Sequence, residues 1–156
     1  RHETSPSGPL VRGIYGALKD IFREGPEHVR RRHEVSAKAI REAVRALGLR
    51  LVAESDEVAS PVVTVFYLPP GVYERDFRAY LLQKWGVVVA NGEIGEDNIR
   101  IGTMGVGAQR RFVLQTIAAL EDALSEFGHS FDRGAGTDAA SRVFAAAEDV
   151  DWDRVP

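Results

Sequence analysis

The sequence contains no cysteine among its 156 residues. This absence excludes disulfide bonds, thiolate metal sites and a cysteine nucleophile. Long apolar runs are also missing, since the longest fall far below the roughly 18 residues that a membrane-spanning helix needs. No charged segment followed by an apolar one opens the chain, so no signal peptide is visible. We therefore expect a cytoplasmic protein.

An excess of positive charge is missing as well. The formal net charge is −3, which does not indicate a general nucleic-acid binder. The hydrophobic fraction of 44% and the charged fraction of 28% are typical of an ordinary soluble domain. The chain is long enough for one domain with a real core. It opens on Arg1 rather than methionine, and the first six residues read like the inside of a longer sequence.

Periodic spacing predicts most of the secondary structure. Apolar residues at intervals of three and four predict helices at about 9–24, 26–47, 73–85 and 108–127. The β-branched and aromatic run at 61–68 predicts a strand, and shorter strands are predicted near 49–51, at 87–90 and at 98–102. The last two could pair as a hairpin. Few strands and many helices indicate an α+β fold, a two-layer small domain with a short, mostly antiparallel sheet and helices packed on one face.

The end of the chain differs in composition from the rest. Residues 129–156 are rich in alanine, glycine and aspartate, and they contain one weak predicted helix at about 138–148 with Asp138 as its N-cap. We interpret 1–128 as the folded domain, with 1–8 as its leading segment. We interpret 129–156 as an acidic Ala/Gly-rich tail that could be disordered.

Few side chains occur in patterns that indicate a catalytic, metal or phosphate site. His28 and His33 lie five residues apart on a predicted helix and face different ways, so they do not form a metal pair. The run Arg30-Arg31-Arg32 is interpreted as a solvated helix face. Three carboxylates between positions 93 and 97 lack the further ligands that a metal site would need. The glycines at 102–107 are not followed by the lysine of a phosphate-binding loop.

Arg100 is the exception, because it is a single arginine in a short apolar strand. A guanidinium held in a strand can bind a carboxylate through two hydrogen bonds with fixed geometry. Gly102 and Gly105 would let the backbone and a ligand approach closely. The alternative interpretation is an edge-strand arginine paired with Glu93 or Asp97.

The segment Asn98-Ile99-Arg100-Ile101-Gly102-Thr103-Met104-Gly105 resembles the RIG-x-MG segment near the C-terminus of class V (fold-type I) pyridoxal-phosphate aminotransferases of the alanine–glyoxylate and serine–glyoxylate type. Other motifs of the family's small C-terminal domain follow the family order. They are Thr4-Ser5-Pro6, Glu24-Gly25, Arg31-Arg32-His33, Ala46-Leu47-Gly48-Leu49 and Ser60-Pro61-Val62-Val63-Thr64. The resemblance covers about residues 1–127.

The resemblance implies that Arg100 holds the α-carboxylate of the substrate. It also implies that Thr4 contacts the phosphate of the partner subunit's pyridoxal 5′-phosphate in a homodimer. The implied reaction moves an amino group between a small amino acid, such as alanine or serine, and a 2-oxo acid such as glyoxylate or pyruvate. The glycines that commonly precede the arginine strand are matched only in part, by Ala90-Asn91-Gly92, so the substrate preference stays open.

The same family bonds its cofactor to a lysine of a large domain that precedes the matched part. The lysines of this chain are Lys19, Lys38 and Lys84, and all three lie on predicted helices outside that setting. We therefore expect no catalytic residue in this chain and no activity from it alone. The alternative is a stand-alone, non-enzymatic α+β module that binds small carboxylates or mediates dimerisation. An in-frame large domain encoded upstream of Arg1 would favour the enzyme.

Overall fold

The computed structural model describes residues 7–95 and 97–154. The helices and strands follow the predicted order, and the α+β fold is confirmed. They are α1 (Gly8–Glu24), α2 (Pro26–Ala46), β1 (Val63–Tyr67), α3 (Glu74–Trp85), β2 (Ala90–Asn91), β3 (Asn98–Gly102), a 3₁₀ turn (Gly105–Ala108), α4 (Arg110–Glu126) and α5 (Ala135–Ala145). None of the helices in this described part is long and apolar enough to cross a membrane.

The sheet is small and wholly antiparallel, with the strand order β1-β3-β2. The predicted hairpin forms, but its first strand is Ala90–Asn91 and not 87–90, and it pairs Ala90 with Arg100 and Asn91 with Ile99. The strand predicted near 49–51 is reduced to a single bridge between Leu51 and Phe66. β3 is therefore the middle strand, and both of its neighbours fix the direction of its side chains.

Helices cover one face of this sheet. Successive side chains of a strand point to opposite faces, so Ile99 and Ile101 of β3 share a face with their partners Phe66 and Thr64 of β1. All four are buried, and the three apolar ones pack with α2 and α4 in the core. The core residues of the two helices are mainly aliphatic and include Ile40, Val44, Ile117, Leu120 and Leu124. This arrangement leaves the other face, which carries Arg100, without a helical layer from the described residues.

The last helix corrects the interpretation of 129–156 as a tail apart from the folded domain, because α5 packs along α2. Phe144 is 3% exposed, and Ala140 and Val150 join the same core as the sheet. The helix begins at Ala135 after Gly134, so Asp138 lies in its first turn and is not the N-cap. Small residues let α5 approach α2 closely, and such a helix carries little of the large-residue periodicity on which the prediction depended.

The predicted apolar face of α1 is present but is not covered by the described residues. Leu10, Ile14 and Leu18 are 63%, 51% and 46% exposed. Within residues 7–95 and 97–154, it is the last turn of α1 that is tied closely to the rest of the fold, through buried Glu24. The spacing thus predicts the helix correctly, while its burial depends on surfaces other than those of the described core.

Candidate functional site

Arg100 lies at the centre of the open face of the sheet. Its cross-strand partners are Val65 of β1 and Ala90 of β2. Its neighbours in sequence, Ile99 and Ile101, point into the core, so the pleat directs the guanidinium away from the helices. Three antiparallel strands therefore determine both the position and the direction of this side chain.

The guanidinium borders an open pocket of about 470 Å³. The other lining residues are apolar and come from all three strands and the segments next to them: Val63, Val88, Val89, Ala90, Gly102 and Met104. Arg100 is the one charged residue in this lining. Because the walls are apolar, an anion in this pocket would be surrounded by fewer waters than in bulk solvent, and the guanidinium would attract it more strongly.

The arginine keeps its donors available. Across residues 7–95 and 97–154, its side chain makes no hydrogen bond or ion pair, which separates it from paired arginines such as Arg32 and Arg41. The alternative interpretation, an edge-strand arginine paired with Glu93 or Asp97, is wrong in this structure. β3 is the central strand, and an Asp97 carboxylate oxygen instead accepts the backbone N–H of Glu74 at 2.9 Å, where it caps α3.

The backbone after β3 is anchored from behind by α2. The Gly105 N–H donates to His33 Nε2 at 3.2 Å, and Arg32 Nη1 donates to the Gly105 carbonyl at 2.8 Å. Ser36 Oγ donates to the Ala108 carbonyl at 2.7 Å, at the end of the 3₁₀ turn. Sequence reasoning missed these three residues as a group. Their spacing could have identified them, since positions 32, 33 and 36 lie on one side of a helix.

Arg32 is itself held by a carboxylate from α1. Its Nε and Nη2 atoms donate to the two carboxylate oxygens of Glu24 at 2.6 and 2.9 Å, and both side chains are 3% exposed. Burial on its own would raise the pKa of Glu24, but the hydrogen bonds and charge of Arg32, together with His28, lower this pKa below its ordinary value. Arg32 is thus a buried structural arginine and not part of a solvated run, whereas Arg30 and Arg31 do pair at the surface.

The other two histidines of the described residues have structural partners. His28 Nδ1 lies 3.0 Å from Glu24 Oε1, and His129 Nε2 lies 2.8 Å from the Leu47 carbonyl. In the part of the chain that the structure describes, no group of three or more histidine, aspartate or glutamate side chains is placed to hold a metal ion. Thr4 and Glu96 lie outside the described residues.

The three lysines do not border the Arg100 pocket. Lys19 and Lys38 are exposed on α1 and α2. Lys84 donates to the Tyr80 hydroxyl at 2.8 Å and lies 3.4 Å from an Asp122 carboxylate oxygen, and these partners raise its pKa. The described residues therefore do not fit a cofactor site in which a lysine bonds to pyridoxal phosphate.

Comparison with known proteins identifies several relatives, most of which are aminotransferases. No protein-family model matches the chain. The pyridoxamine–pyruvate transaminase of Mesorhizobium japonicum is 38% identical over 145 residues, which are 91% of this chain and 37% of that protein. The serine–glyoxylate aminotransferase of Methylorubrum extorquens is 33% identical over 88% of this chain and 34% of its own length. A protein of Anabaena cylindrica described as the 42 kDa subunit of a soluble hydrogenase is 36% identical over 91% of this chain and 38% of its own length.

The fold agrees with these matches. The crystal structure of pyridoxamine–pyruvate aminotransferase from Mesorhizobium loti superposes with a TM-score of 0.86 at 36% identity, over 92% of this chain and 37% of that one. The chain spans little more than a third of the length of the relatives that it matches. The chain is therefore similar to part of these aminotransferases, which confirms the resemblance to class V aminotransferases that residues 98–105 carry.

Proposed function

We propose that this chain is the C-terminal part of a pyridoxal-phosphate-dependent aminotransferase. The enzyme would transfer an amino group between a small amino acid, alanine- or serine-like, and a 2-oxo acid such as glyoxylate or pyruvate. The observation that carries the proposal is the Arg100 guanidinium, which lies without a partner among the described residues at an apolar pocket on the open face of the sheet. The names of the relatives, with pyruvate or glyoxylate as acceptor, support the same substrate class.

Arg100 would bind the group that both substrates share. An amino acid and a 2-oxo acid each carry a carboxylate next to the reacting carbon, so one guanidinium can orient both in turn. Two parallel hydrogen bonds restrict rotation of the carboxylate and fix the direction of the bond that must react, which is a positioning effect. Pyridoxal phosphate supplies the amino-group carrier and the electron sink when it is bound.

The rest of the catalytic centre would come from outside the described residues. No lysine borders the pocket, and therefore this chain on its own should be inactive. The proposal also places Thr4 at the cofactor phosphate of a partner subunit, in a cytoplasmic homodimer. The open face of the sheet and the uncovered face of α1 are the surfaces that such a further part of the protein could cover.

Carboxylate binding by the chain tests the proposal directly. Pyruvate should shift the backbone amide resonances of Ala90 and Gly102, next to Arg100, in a nitrogen–proton NMR titration, and the uncharged analogue pyruvamide should not. Arg100→Gln should abolish these shifts. Arg75→Gln, which removes an exposed arginine of α3, should leave them unchanged. Absence of pyruvate-dependent shifts near Arg100 in the wild-type chain would overturn the proposal.

The longer polypeptide that the proposal requires gives the kinetic test. There, Arg100→Gln should raise the Michaelis constants of both the amino acid and the 2-oxo acid by about 10- to 100-fold, because a charged hydrogen bond contributes roughly 1.5–3 kcal/mol. Affinity for pyridoxal phosphate should stay nearly unchanged. If the chain binds pyruvate but no in-frame large domain is encoded before it, the stand-alone carboxylate-binding module would replace the enzyme.

A further inference from the structure

We infer that Arg32 and His33 are positioning residues for the Arg100 pocket, and that Glu24 holds Arg32 in place for this purpose. The inference rests on the proposed function and adds to it a set of residues on the far side of the sheet. These residues contact neither the pocket nor Arg100. They act through the backbone of Gly105 and through Met104, which precedes it.

Gly105 is held at both of its peptide groups. Its N–H donates to His33 Nε2, and its carbonyl accepts from Arg32 Nη1. Its φ of 57° is the left-handed conformation that glycine adopts at little cost. Two side chains of one helix therefore fix the direction of the chain at the point where it leaves the sheet.

Arg32 has a determined orientation because three of its nitrogens are used. Nε and Nη2 donate to Glu24, and Nη1 donates to Gly105, so the guanidinium plane cannot rotate without losing a hydrogen bond. A lysine in its place would keep the charge but has no planar fork to bridge the two partners. Substitution by lysine therefore separates the positioning role from charge.

The hydrogen-bond partners also determine the tautomer of His33. Its Nδ1 lies 2.6 Å from the Val29 carbonyl, which can only accept, so Nδ1 carries the hydrogen. Nε2 is left as an acceptor for the Gly105 N–H. His33 thus acts as a neutral acceptor, next to the Arg32 donor, and the pair matches the two halves of the Gly105 backbone.

Met104 links the fixed backbone of Gly105 to the pocket, because it precedes Gly105 and lines the pocket. It is 64% exposed, it lines the pocket beside Arg100, and its Cε lies 3.6 Å from the position that a Cβ on Gly102 would occupy. Since residue 105 is fixed from behind, the Met104 side chain stays over the open face. There it forms an apolar wall that excludes water from the guanidinium and its ligand.

The experiment uses the fact that Met104 is the one methionine of the sequence. In the full chain labelled with carbon-13 at methionine methyl groups, one resonance reports on Met104, and Met104→Leu identifies it. Arg32→Lys should leave a folded chain in which this methyl group is more mobile by relaxation measurements. Pyruvate should bind about tenfold more weakly, because residues that contact neither ligand nor site change binding by roughly 0.5–2 kcal/mol when they position it. Arg31→Lys, at the exposed neighbouring arginine, should change neither quantity.

His33→Phe is the second variant, because it removes the acceptor for Gly105 without removing a charge. It should mobilise the Met104 methyl group and weaken pyruvate binding in the same direction, so the inference stays testable if Arg32→Lys does not fold. Wild-type methyl mobility and wild-type pyruvate affinity in a folded variant would overturn the inference. If the wild-type chain itself does not bind pyruvate, the proposed function fails instead, so the two failures are distinguishable.

Discussion

Glu24 and Arg32 form a two-pronged ion pair across the break between the first two helices. The Nε–Oε1 and Nη2–Oε2 distances are 2.6 and 2.9 Å, and each residue is 3% exposed. Gly25 follows the end of one helix and Pro26 begins the next, so the Glu24–Arg32 ion pair joins the two helices across this break. A buried charge is tolerated because its partner is buried with it, and removing one partner leaves the other uncompensated.

Glu24→Gln should therefore destabilise the chain by about 3–5 kcal/mol, the usual cost of breaking a buried pair. Urea unfolding followed by circular dichroism measures this change. The matched control is Glu27→Gln, since Glu27 pairs with Arg30 at the surface, where the two side chains are 86% and 62% exposed. Removal of such an exposed pair should cost less than about 1 kcal/mol. Equal effects of the two substitutions would contradict the structural role of Glu24.

The same carboxylate should make stability dependent on pH. The pKa of Glu24 in the folded chain is lowered from its ordinary value of 4.5, so the unfolded chain takes up the proton more readily. The stabilisation is thus fully present above the ordinary pKa and is lost as the pH falls from there through the lowered folded value. At low pH the wild-type residue becomes neutral, as glutamine is.

Urea unfolding of the wild-type chain and Glu24→Gln at several pH values between 7 and 3 isolates this effect. The difference in unfolding free energy between the two proteins should shrink as the pH falls below 4.5. Other carboxylates with lowered pKa values, such as Asp56 and Asp149, contribute equally to both proteins and cancel in the difference. A difference that stays constant over this range would show that the lowered pKa of Glu24 is not linked to folding.

Gly92 provides a test of the strand geometry behind the site. A Cβ added there would lie 1.9 Å from Asn98 Oδ1 and 2.6 Å from Val65 Cγ1, so the turn between β2 and β3 would have to move. Gly92→Ala should destabilise the chain by about 1–3 kcal/mol, as overpacking does. Gly16→Ala on α1 meets nothing within 4 Å and should stabilise the chain by about 0.5–1 kcal/mol. Thermal unfolding distinguishes the two, and a neutral Gly92→Ala would contradict this close packing.

The sequence predicts the helices and strands well where large apolar residues recur at regular intervals. β3 is found at 98–102 as predicted, because Ile99 and Ile101 enter the core while Arg100 points outward. That β3 is central and not at an edge depends on its pairing with residues more than 30 positions earlier, which no local pattern contains. The availability of Arg100 for a ligand therefore follows from the topology.

The run Arg30-Arg31-Arg32 shows a second feature that the sequence alone does not predict, which is the environment of each side chain. Three identical residues have three environments: Arg30 pairs with glutamates of its own helix, Arg31 pairs with Asp149, and Arg32 is buried against Glu24. The spacing along the helix predicts only that Arg32 is the buried one, since it lies three residues after Val29 and four before Ser36 on the apolar side. The partner carboxylate was not predictable, because Glu24 belongs to a different helix.

Pyridoxal phosphate should not form a stoichiometric covalent adduct with this chain. Lys84 is held by Tyr80 and Asp122, which raise its pKa and keep the amine protonated, and a protonated amine is not a nucleophile. Lys19 and Lys38 are exposed on helices without a pocket for the cofactor. Mass spectrometry after borohydride reduction measures the adduct. One equivalent fixed on a single lysine would contradict the assignment of the cofactor to a part of the protein beyond the described residues.

The last helix should be an integral part of the fold. Phe144 is 3% exposed and contacts the ring of Trp152 edge-on, with 5.0 Å between ring centroids. Phe144→Ala should therefore cost about 3–5 kcal/mol, the usual range for a phenylalanine removed from a core. Val58→Ala, at a side chain that is 72% exposed, should change the stability by less than about 0.5 kcal/mol. Urea unfolding compares the two variants, and wild-type stability of Phe144→Ala would restore the interpretation of 129–156 as an appendage, since a helix that contributes nothing to the core loses nothing when its largest buried ring is removed.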